Sequence, residues 1–285
     1  MPIDLTNKPI AITGASSGIG AATAIACAKA GMPVVVAARR ADKLQAVVDR
    51  IAAAGGRAHA VQVDVTKPAD CQRLVDETVA KFGSLYAIFA NAGYGLEGDL
   101  TELGDDGVRK MFETNFFGTL NTLWPAVPVL QGNPGPRRGH ILICSSCLAK
   151  ISVPFVGTYC ATKAAQNHIG RAMNVELRPK GIRVSTVHPI GTRTEFFDTM
   201  ATLSGGKAEL PQANGFFMQD AEFVASRVVA CLRRPKPEVW TGAKGNLVRV
   251  CTAIAGLFPG LTDWSLATMM QRRIIPNHKS ASARP

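Results

Sequence analysis

The chain has 285 residues, of which 47% are apolar and 19% are charged. This composition supports a sizeable buried core and excludes an intrinsically disordered chain. With 32 Lys and Arg residues against 21 Asp and Glu residues, the net charge is +11, which favours an anionic partner such as a phosphorylated cofactor, an acidic membrane surface or nucleic acid.

Short apolar runs rich in β-branched residues alternate with helical patterns along most of the sequence. The predicted strands are residues 10–13, 34–37, 58–63, 87–90, 140–144, 183–187 and 238–241. The predicted helices are residues 19–30, 41–54, 69–82, 105–130, 158–177 and 221–233. This alternation implies right-handed crossovers between parallel strands.

These elements predict an α/β protein with a single doubly wound Rossmann-type domain, in which helices cover both faces of a mostly parallel seven-stranded sheet. We assign residues 1–245 to this domain. Residues 246–285 are apolar and then basic, and we expect this C-terminal extension to pack on the domain or on a partner subunit. Pro259 and Gly260 interrupt any long amphipathic helix there, so peripheral contact with an anionic membrane is the less favoured alternative.

Several features predict a soluble, cytoplasmic protein that binds no nucleic acid. The Lys and Arg residues are scattered along the sequence, without the basic stripe and exposed aromatics that nucleic-acid binding uses. The first residues lack the basic and apolar regions of a signal peptide. The seven cysteines form no Cys/His cluster, so we expect reduced thiols and no metal site.

The first predicted strand runs into a glycine-rich turn that a helix follows. Glycine lets a backbone approach a pyrophosphate closely, and a helix N-terminus supplies free N–H groups and the positive end of a dipole. A plain strand-to-helix turn explains one or two glycines but hardly three with the spacing Gly-x-x-x-Gly-x-Gly. The turn therefore predicts a dinucleotide site formed by Gly14, Ser16, Ser17, Gly18, Ile19 and Gly20.

The end of the second predicted strand indicates which dinucleotide binds. An NAD-selective site places Asp or Glu there to accept from the ribose 2′-hydroxyl, whereas this sequence has Arg39 and Arg40. A guanidinium binds a 2′-phosphate with charge-assisted hydrogen bonds, each of about 1.5–3 kcal/mol. We therefore predict NADP(H) as the cofactor; the alternative is a solvated arginine pair at the start of a helix.

Tyr159 and Lys163 lie four residues apart in a predicted helix and so share one face. A phenol has a pKa near 10, but an ammonium about 6 Å away favours the phenolate by roughly 2.8 kcal/mol at an effective dielectric constant of about 20. That corresponds to a pKa about 2 units lower. A Tyr-x-x-x-Lys pair often occurs by chance, so its context decides.

Three polar residues supply that context. Ser146 and Asn91 follow predicted strands, and ligands of parallel sheets bind beyond the carboxyl ends of the strands. Asn115 lies inside an otherwise apolar helix, where an amide needs an assigned partner. A structural hydrogen bond to nearby backbone is the alternative role for Asn115.

The order and spacing of these motifs resemble the classical short-chain dehydrogenase/reductase family over residues 8–245. The segment Ala90-Asn91-Ala92-Gly93 is similar to the family's Asn-Asn-Ala-Gly element, with Ala in the first place. The resemblance also implies further cofactor contacts, which are Asp64, Val65, Asn91, Ala92, Gly93, Tyr159, Lys163, Pro189, Thr192 and Thr194.

By this resemblance the protein is an NADP-dependent oxidoreductase that interconverts a carbonyl and an alcohol by hydride transfer, working as a homodimer or homotetramer. Ser146 then positions the carbonyl and Tyr159 transfers the proton. Lys163 lowers the pKa of Tyr159 and binds the ribose, while Asn115 supports a water-linked proton relay. Two departures from the family pattern within the domain are Ile190, in the place of a glycine, and Lys150, which adds a charge near the site where a small residue is common. The tail beyond about residue 245 also matches no general family motif.

The phenylalanine-rich segment 195–219 follows the sixth predicted strand, where a lid could close over the site. Its aromatics suggest an apolar ketone or alcohol as substrate; the alternative is that they pack the lid onto the domain. Two other functions are alternatives. One is a sensor or scaffold that binds NADP without catalysis, which the four filled catalytic positions oppose. The other is a nucleic-acid-binding protein driven by the net charge.

Overall fold

The computed structural model describes residues 1–205 and 218–271. The strands are β1 (Ile10–Thr13), β2 (Val34–Ala38), β3 (Ala58–Gln62), β4 (Ala87–Ala90), β5 (Gly139–Cys144), β6 (Ile182–His188), β7 (Thr192–Arg193), β8 (Gln219–Asp220) and β9 (Glu238–Trp240). The helices are α1 (Gly18–Lys29), α2 (Ala41–Ala53), α3 (Pro68–Phe82), α4 (Gly104–Phe112), α5 (Gly118–Leu123), α6 (Ala126–Gly132), α7 (Gly157–Leu177), α8 (Phe196–Leu203), α9 (Ala221–Arg233), α10 (Gly242–Leu257) and α11 (Pro259–Gln271).

The seven predicted strands form one seven-stranded sheet with the order β3-β2-β1-β4-β5-β6-β9. All six pairings within it are parallel. The predicted α/β fold with a doubly wound sheet is therefore confirmed. The order reverses between β1 and β4, and a ligand crevice forms beyond the carboxyl ends of the strands at such a reversal.

Two apolar layers hold helices on opposite faces of the sheet. Because side chains alternate along a strand, Ile10 and Ile12 enter one layer, with residues of α1, α2 and α9, whereas Ala11 enters the other, with residues of α3, α5, α6 and α7. Strands buried on both faces explain why the sequence shows continuous apolar runs.

The single helix predicted for residues 105–130 is wrong, because the structure divides this segment into α4, α5 and α6. A π-helical turn, Glu113–Phe117, joins α4 to α5 and contains the buried Asn115. Pro125 precedes α6, and the missing N–H of a proline breaks the ladder of helical hydrogen bonds. Helical periodicity alone showed neither interruption.

The C-terminal extension forms α10 and α11, so a helix begins before the predicted boundary at residue 246. Among the described residues, no single helix is long and apolar enough to cross a membrane, whereas α10 and α11 taken together pass that test but are bent by 111° at their junction. Residues 272–285, including the pair Arg272 and Arg273, lie outside the described part of the chain.

Two buried histidines predict a loss of stability in acid. Burial lowers the pKa of His140 from 6.5 to about 3 and that of His188 from 6.5 to about 4. Below pH 6.5 the unfolded chain takes up protons at these positions that the folded protein does not, so the free energy of unfolding falls as the pH drops toward the folded pKa values. We expect the free energy of unfolding to fall by a few kcal/mol, since a pKa difference of one unit between the folded and unfolded states is worth about 1.4 kcal/mol.

Urea unfolding across that pH range measures this effect. His140→Gln is expected to flatten the pH dependence, and His168→Gln, a change at an exposed histidine of α7, is the matched control. An unchanged pH dependence in the His140 variant would contradict the prediction.

Candidate functional site

The glycine-rich turn between β1 and α1 leaves no room for side chains where a dinucleotide would lie. Gly14 has φ +65°, and a Cβ built there would stand 2.8 Å from the Cα of Ala92. A Cβ at Gly20 would collide with the carbonyl of Gly14. Ser17 at the N-cap of α1 makes no side-chain capping bond. The turn therefore provides the cradle and the uncapped helix terminus that a pyrophosphate needs.

An ionic cluster follows β2, at the place predicted for the 2′-phosphate. Arg40 donates hydrogen bonds to the Oγ atoms of Ser16 (2.9 Å) and Ser17 (2.8 Å). Its Nη1 and the Nζ of Lys43 also bind the two carboxylate oxygens of Glu195, at 2.9 and 2.6 Å. Hydrogen bonds from Lys43 and Arg40 hold the pKa of Glu195 down at about 2. The carboxylate thus lies where a phosphate would bind Arg40.

Arg39 has a different environment from its neighbour. It lines a cavity that extends from the glycine turn to Tyr159, and its guanidinium forms no hydrogen bond with a described residue. Its backbone carbonyl accepts from Gln62 on the neighbouring strand, which fixes the backbone at this point. Among the described residues, therefore, Arg40 already has acidic and hydroxyl partners, whereas the guanidinium of Arg39 forms no hydrogen bond.

A cavity of about 700 Å³ runs from the glycine turn to the predicted catalytic residues. The predicted site residues line it, with the exception of Gly20 and Asn115. Gly20 packs behind the turn against Gly14 and Asn91, and Asn115 lies fully buried behind Gly93. Residues that are far apart in sequence therefore meet at one edge of the sheet.

Tyr159 and Lys163 share a face of α7, as the spacing predicted. The Nζ of Lys163 lies 5.5 Å from the centre of the Tyr159 ring. This nitrogen donates to the carbonyl of Cys144 and to Oε1 of Gln166, both at 2.9 Å. Lys163 is almost wholly buried, so these acceptors compensate for its lost hydration.

The structure reverses the pKa shift expected for Tyr159. Burial in the cavity wall raises its pKa, and a hydrogen bond with Ser146 lowers it by less. Burial also lowers the pKa of Lys163. The simple charge argument omitted the cost of removing a phenolate from water, which is the largest influence on this pKa. The phenol is therefore held neutral, in the form that donates a proton.

Asn115 is fixed by the backbone of Tyr94. Its Oδ1 accepts from the Tyr94 amide at 3.0 Å, and its Nδ2 donates to the Tyr94 carbonyl at 2.9 Å. Nε2 of Gln166 donates to the main-chain carbonyl of Asn115 at 2.6 Å, and Oε1 of Gln166 accepts from Lys163. Gln166 thus connects Asn115 to Lys163 directly, which the sequence analysis missed. Its only signal was its place three residues after Lys163, on the same helical face.

Ser146 is held from two sides. Its Oγ accepts from the amide of Leu148 at 3.1 Å. Its carbonyl accepts from Nδ1 of His188 at 2.9 Å, and the His188 ring stacks on Trp240 with centroids 4.7 Å apart. His188 therefore fixes the backbone that carries Ser146. This contact spans 42 residues of sequence and left no local pattern.

The two departures from the family pattern have different places. Ile190 is buried and lines the cavity beside Pro189. Lys150 does not line the cavity, because its Nζ pairs with Glu238 at 2.9 Å. The same carboxylate oxygen accepts from Arg171 at 3.0 Å. The expected charge of Lys150 near the reacting groups is thus wrong, since β9 draws this side chain away.

The end of the cavity beyond Tyr159 is apolar. Phe196 of α8 lies 5.5 Å from the Tyr159 ring, centroid to centroid. The apolar lining residues of this end are Cys147, Leu148, Val153, Val156, Ile190, Phe196, Phe197, Met200 and Val248. Of the predicted lid, α8 therefore covers the cavity, and the short pair β7–β8 brackets the segment. Phe216 and Phe217 lie outside the described residues.

Basic residues scattered in the sequence meet in a second cavity of about 300 Å³. They are Arg137, Arg178, Arg183, Arg233, Arg234 and Lys236. The expectation of a dispersed positive surface is thus wrong at this place, because the loops before β5, β6 and β9 converge at the amino edge of the sheet. Tyr86, the aromatic lining residue here, is buried, so this cleft does not present the exposed stacking platform typical of single-strand binding.

The sequence of this chain is similar to those of known proteins. The sequence model of the family described as short chain dehydrogenase matches residues 8–202. An uncharacterized oxidoreductase of Listeria innocua is 37% identical over 198 residues, which cover 69% of this chain and 79% of that protein.

Two solved structures share the fold. A short chain dehydrogenase/reductase from Burkholderia phymatum in complex with NAD has a TM-score of 0.78 and 25% identity, covering 87% of this chain and 93% of that chain. An alcohol dehydrogenase from the archaeon Thermococcus sibiricus, complexed with 5-hydroxy-NADP, has a TM-score of 0.70 and 27% identity, covering 81% of this chain and 94% of that one.

Proposed function

The chain belongs to the short-chain dehydrogenase family of oxidoreductases, and we propose that it uses NADP(H) to interconvert an apolar ketone and the corresponding alcohol. The observation that carries this proposal is the single cavity in which Ser146, Tyr159 and Lys163 follow on from the glycine turn. Proteins of similar fold bind NAD or NADP, so the preference for NADP rests on this chain's own residues.

The dinucleotide would be held by the glycine turn and by Lys163, and it supplies or accepts the hydride when bound. Ser146 donates a hydrogen bond to the carbonyl oxygen and orients it. Tyr159, held neutral, gives its phenolic proton to that oxygen in reduction and regains it in oxidation. Gln166 and Asn115 keep Lys163 in place.

The residues at the end of β2 and directly after it support NADP over NAD. Arg39 and Arg40 stand beside the glycine turn, and the strand ends in Ala38, not in an acidic residue. A carboxylate there would repel a 2′-phosphate, whereas these guanidinium groups attract it.

The lining of the cavity supports an apolar substrate. The charged residues among those that line it are Arg39, Arg40, Asp64, Lys163 and Glu195. Four of these belong to the cofactor end by their place in the fold, and Lys163 already donates to the carbonyl of Cys144 and to the side-chain oxygen of Gln166. A charged substrate would lose its hydration without gaining a partner.

Titration of the purified protein with NADPH and NADH, followed by nicotinamide fluorescence, tests the proposal. Tight NADPH binding, much weaker NADH binding and turnover of a cyclic or long-chain ketone are expected. Tight NADPH binding without turnover of any apolar ketone or alcohol would instead favour a cofactor-binding sensor. The absence of binding by either cofactor would reject the proposal.

Glu195→Gln is expected to strengthen NADPH binding about two- to fivefold, with little change for NADH. The carboxylate occupies Arg40 and Lys43, and an exposed ion pair of this kind is worth about 0.2–1 kcal/mol. Asp198→Asn, three residues further along in α8 and also exposed, is the matched loss of charge. Weaker NADPH binding in the Glu195 variant would show that this residue organises the phosphate site and does not compete for it.

A further inference from the structure

The C-terminal helices carry an apolar surface that faces away from the domain. On α10 it consists of Leu247, Val250, Ile254 and Leu257, spaced at helical intervals along one side. It continues through Phe258 into Leu261 and Trp264 of α11, and we call these seven residues the tail surface. Leu257 is 74% exposed and Trp264 is 67% exposed. A concentration of exposed apolar side chains of this kind is typical of an interaction site.

The other side of α10 is anchored to the domain. Gly245 and Thr252 are buried there, and Val248 lines the large cavity. The helix is therefore held in place by its inner side. Its apolar outer side cannot pack on the core of the same domain at the same time. Whatever covers the tail surface has to come from outside the described part of the fold.

The apolar residues of α11 face more than one direction, so one flat protein surface would not cover them all. None of its residues is buried, yet it carries apolar residues on two sides, with Leu261 on one side and Leu266 and Met270, one turn apart, on another. The hydroxyl of Thr262 donates to the carbonyls of Ala255 and Phe258, and the hydroxyl of Thr268 donates to the carbonyl of Trp264. These hydroxyls need no water, so the helix tolerates an apolar environment on several sides.

The charge of the extension selects the kind of apolar environment. From residue 246 to the end of the sequence there are five Lys or Arg residues, at positions 249, 272, 273, 279 and 284, against one acidic residue, Asp263. The chain as a whole carries +11. Basic residues flanking an apolar helix are attracted to the negative surface of anionic lipids. A second copy of the chain would bring the same positive charge against itself.

We propose that the tail surface docks on an anionic lipid bilayer, with α10 and α11 lying in the membrane interface. The 16 residues of α10 and the 13 residues of α11 are each too few to cross the hydrocarbon core, which needs about 20. The two helices meet at a bend of 111°, so they do not form one straight helix that could span the bilayer. Trp264, with an apolar ring and a polar N–H, suits the depth of the headgroups. This docking is independent of the proposed reaction.

Co-sedimentation of the full chain with vesicles tests the proposal. Binding to vesicles that contain phosphatidylglycerol is expected to exceed binding to phosphatidylcholine alone by on the order of tenfold, and to fall as salt is added. The double variant Ile254→Gln and Leu257→Gln is expected to lose this binding. The matched control is Val175→Gln, a change at an equally exposed apolar residue of α7.

Trp264 reports where the helix lies. In a Trp124→Phe background the remaining tryptophans are the buried Trp240 and the exposed Trp264. A blue shift of the emission on adding anionic vesicles, absent in Trp264→Phe, supports insertion. Equal binding to both kinds of vesicle, or none, would overturn the proposal. The proposal would also fail if Trp264 were already shielded from water without lipid. Light scattering would reveal shielding in a dimer, and truncation after residue 271 would reveal shielding by residues 272–285.

Discussion

Replacing Tyr159 by Phe is expected to lower turnover by between about a hundredfold and about ten-thousandfold, the range that general acid–base groups contribute. In the proposed reaction the phenol donates the proton, and it lies beside Ser146 in the wall of the cavity. Its ring and its contact with Phe196 persist in the variant. NADPH affinity should therefore change little, and single-turnover hydride transfer followed by loss of nicotinamide absorbance measures the effect.

Tyr94→Phe is the matched control for this experiment. Tyr94 lines the same cavity, but its described contacts with Asn115 run through its backbone, which the substitution keeps. We expect nearly full activity from it. Substantial turnover by the Tyr159 variant, with the control active, would assign the proton transfer to another group.

Arg39→Asp is expected to weaken NADPH binding by roughly tenfold to a hundredfold and to invert the preference between the two cofactors. The change removes a guanidinium worth about 1.5–3 kcal/mol per charge-assisted hydrogen bond and adds a charge that repels the 2′-phosphate. The new carboxylate can accept a hydrogen bond from the 2′-hydroxyl of NADH. Dissociation constants of both cofactors, measured by fluorescence titration, give the ratio directly.

Arg50→Asp separates this local effect from a general loss of positive charge. Arg50 is an exposed residue near the C-terminal end of α2, and it does not line the cavity. The control makes the same change in net charge and should leave the ratio of the two constants unaltered. An unchanged ratio in the Arg39 variant would mean that Arg40 and Lys43 alone recognise the phosphate, after Glu195 moves away.

Much of the candidate site follows from neighbours in sequence. The structure shows that Gly14 and Gly20 lie too close to neighbouring backbone atoms for any side chain to fit there. Tyr159 and Lys163 share a helical face because four residues make about one turn. The seven strands were found from short apolar runs, since strands covered on both faces need apolar residues throughout. Each of these features depends on residues a few positions apart.

The features that sequence did not predict are those that depend on distant contacts or on burial. The pKa of Tyr159 was expected to fall, because charge and spacing are visible in sequence whereas the loss of hydration is not. The π-helical turn around Asn115 interrupts a pattern whose helical period continues on either side. Gln166 gained its role only when α7 packed against that turn.

The sequence by itself determined the positions of the seven sheet strands, the glycine cradle and the helical face that Tyr159 and Lys163 share, because local periodicity and spacing specify them. Tertiary structure decided that Glu195 occupies Arg40, a contact across 155 residues. It also gathered the separate arginines at the amino edge of the sheet and turned one side of α10 away from the core. Such relations have no local signal, because they arise only when packing brings distant segments of the chain together.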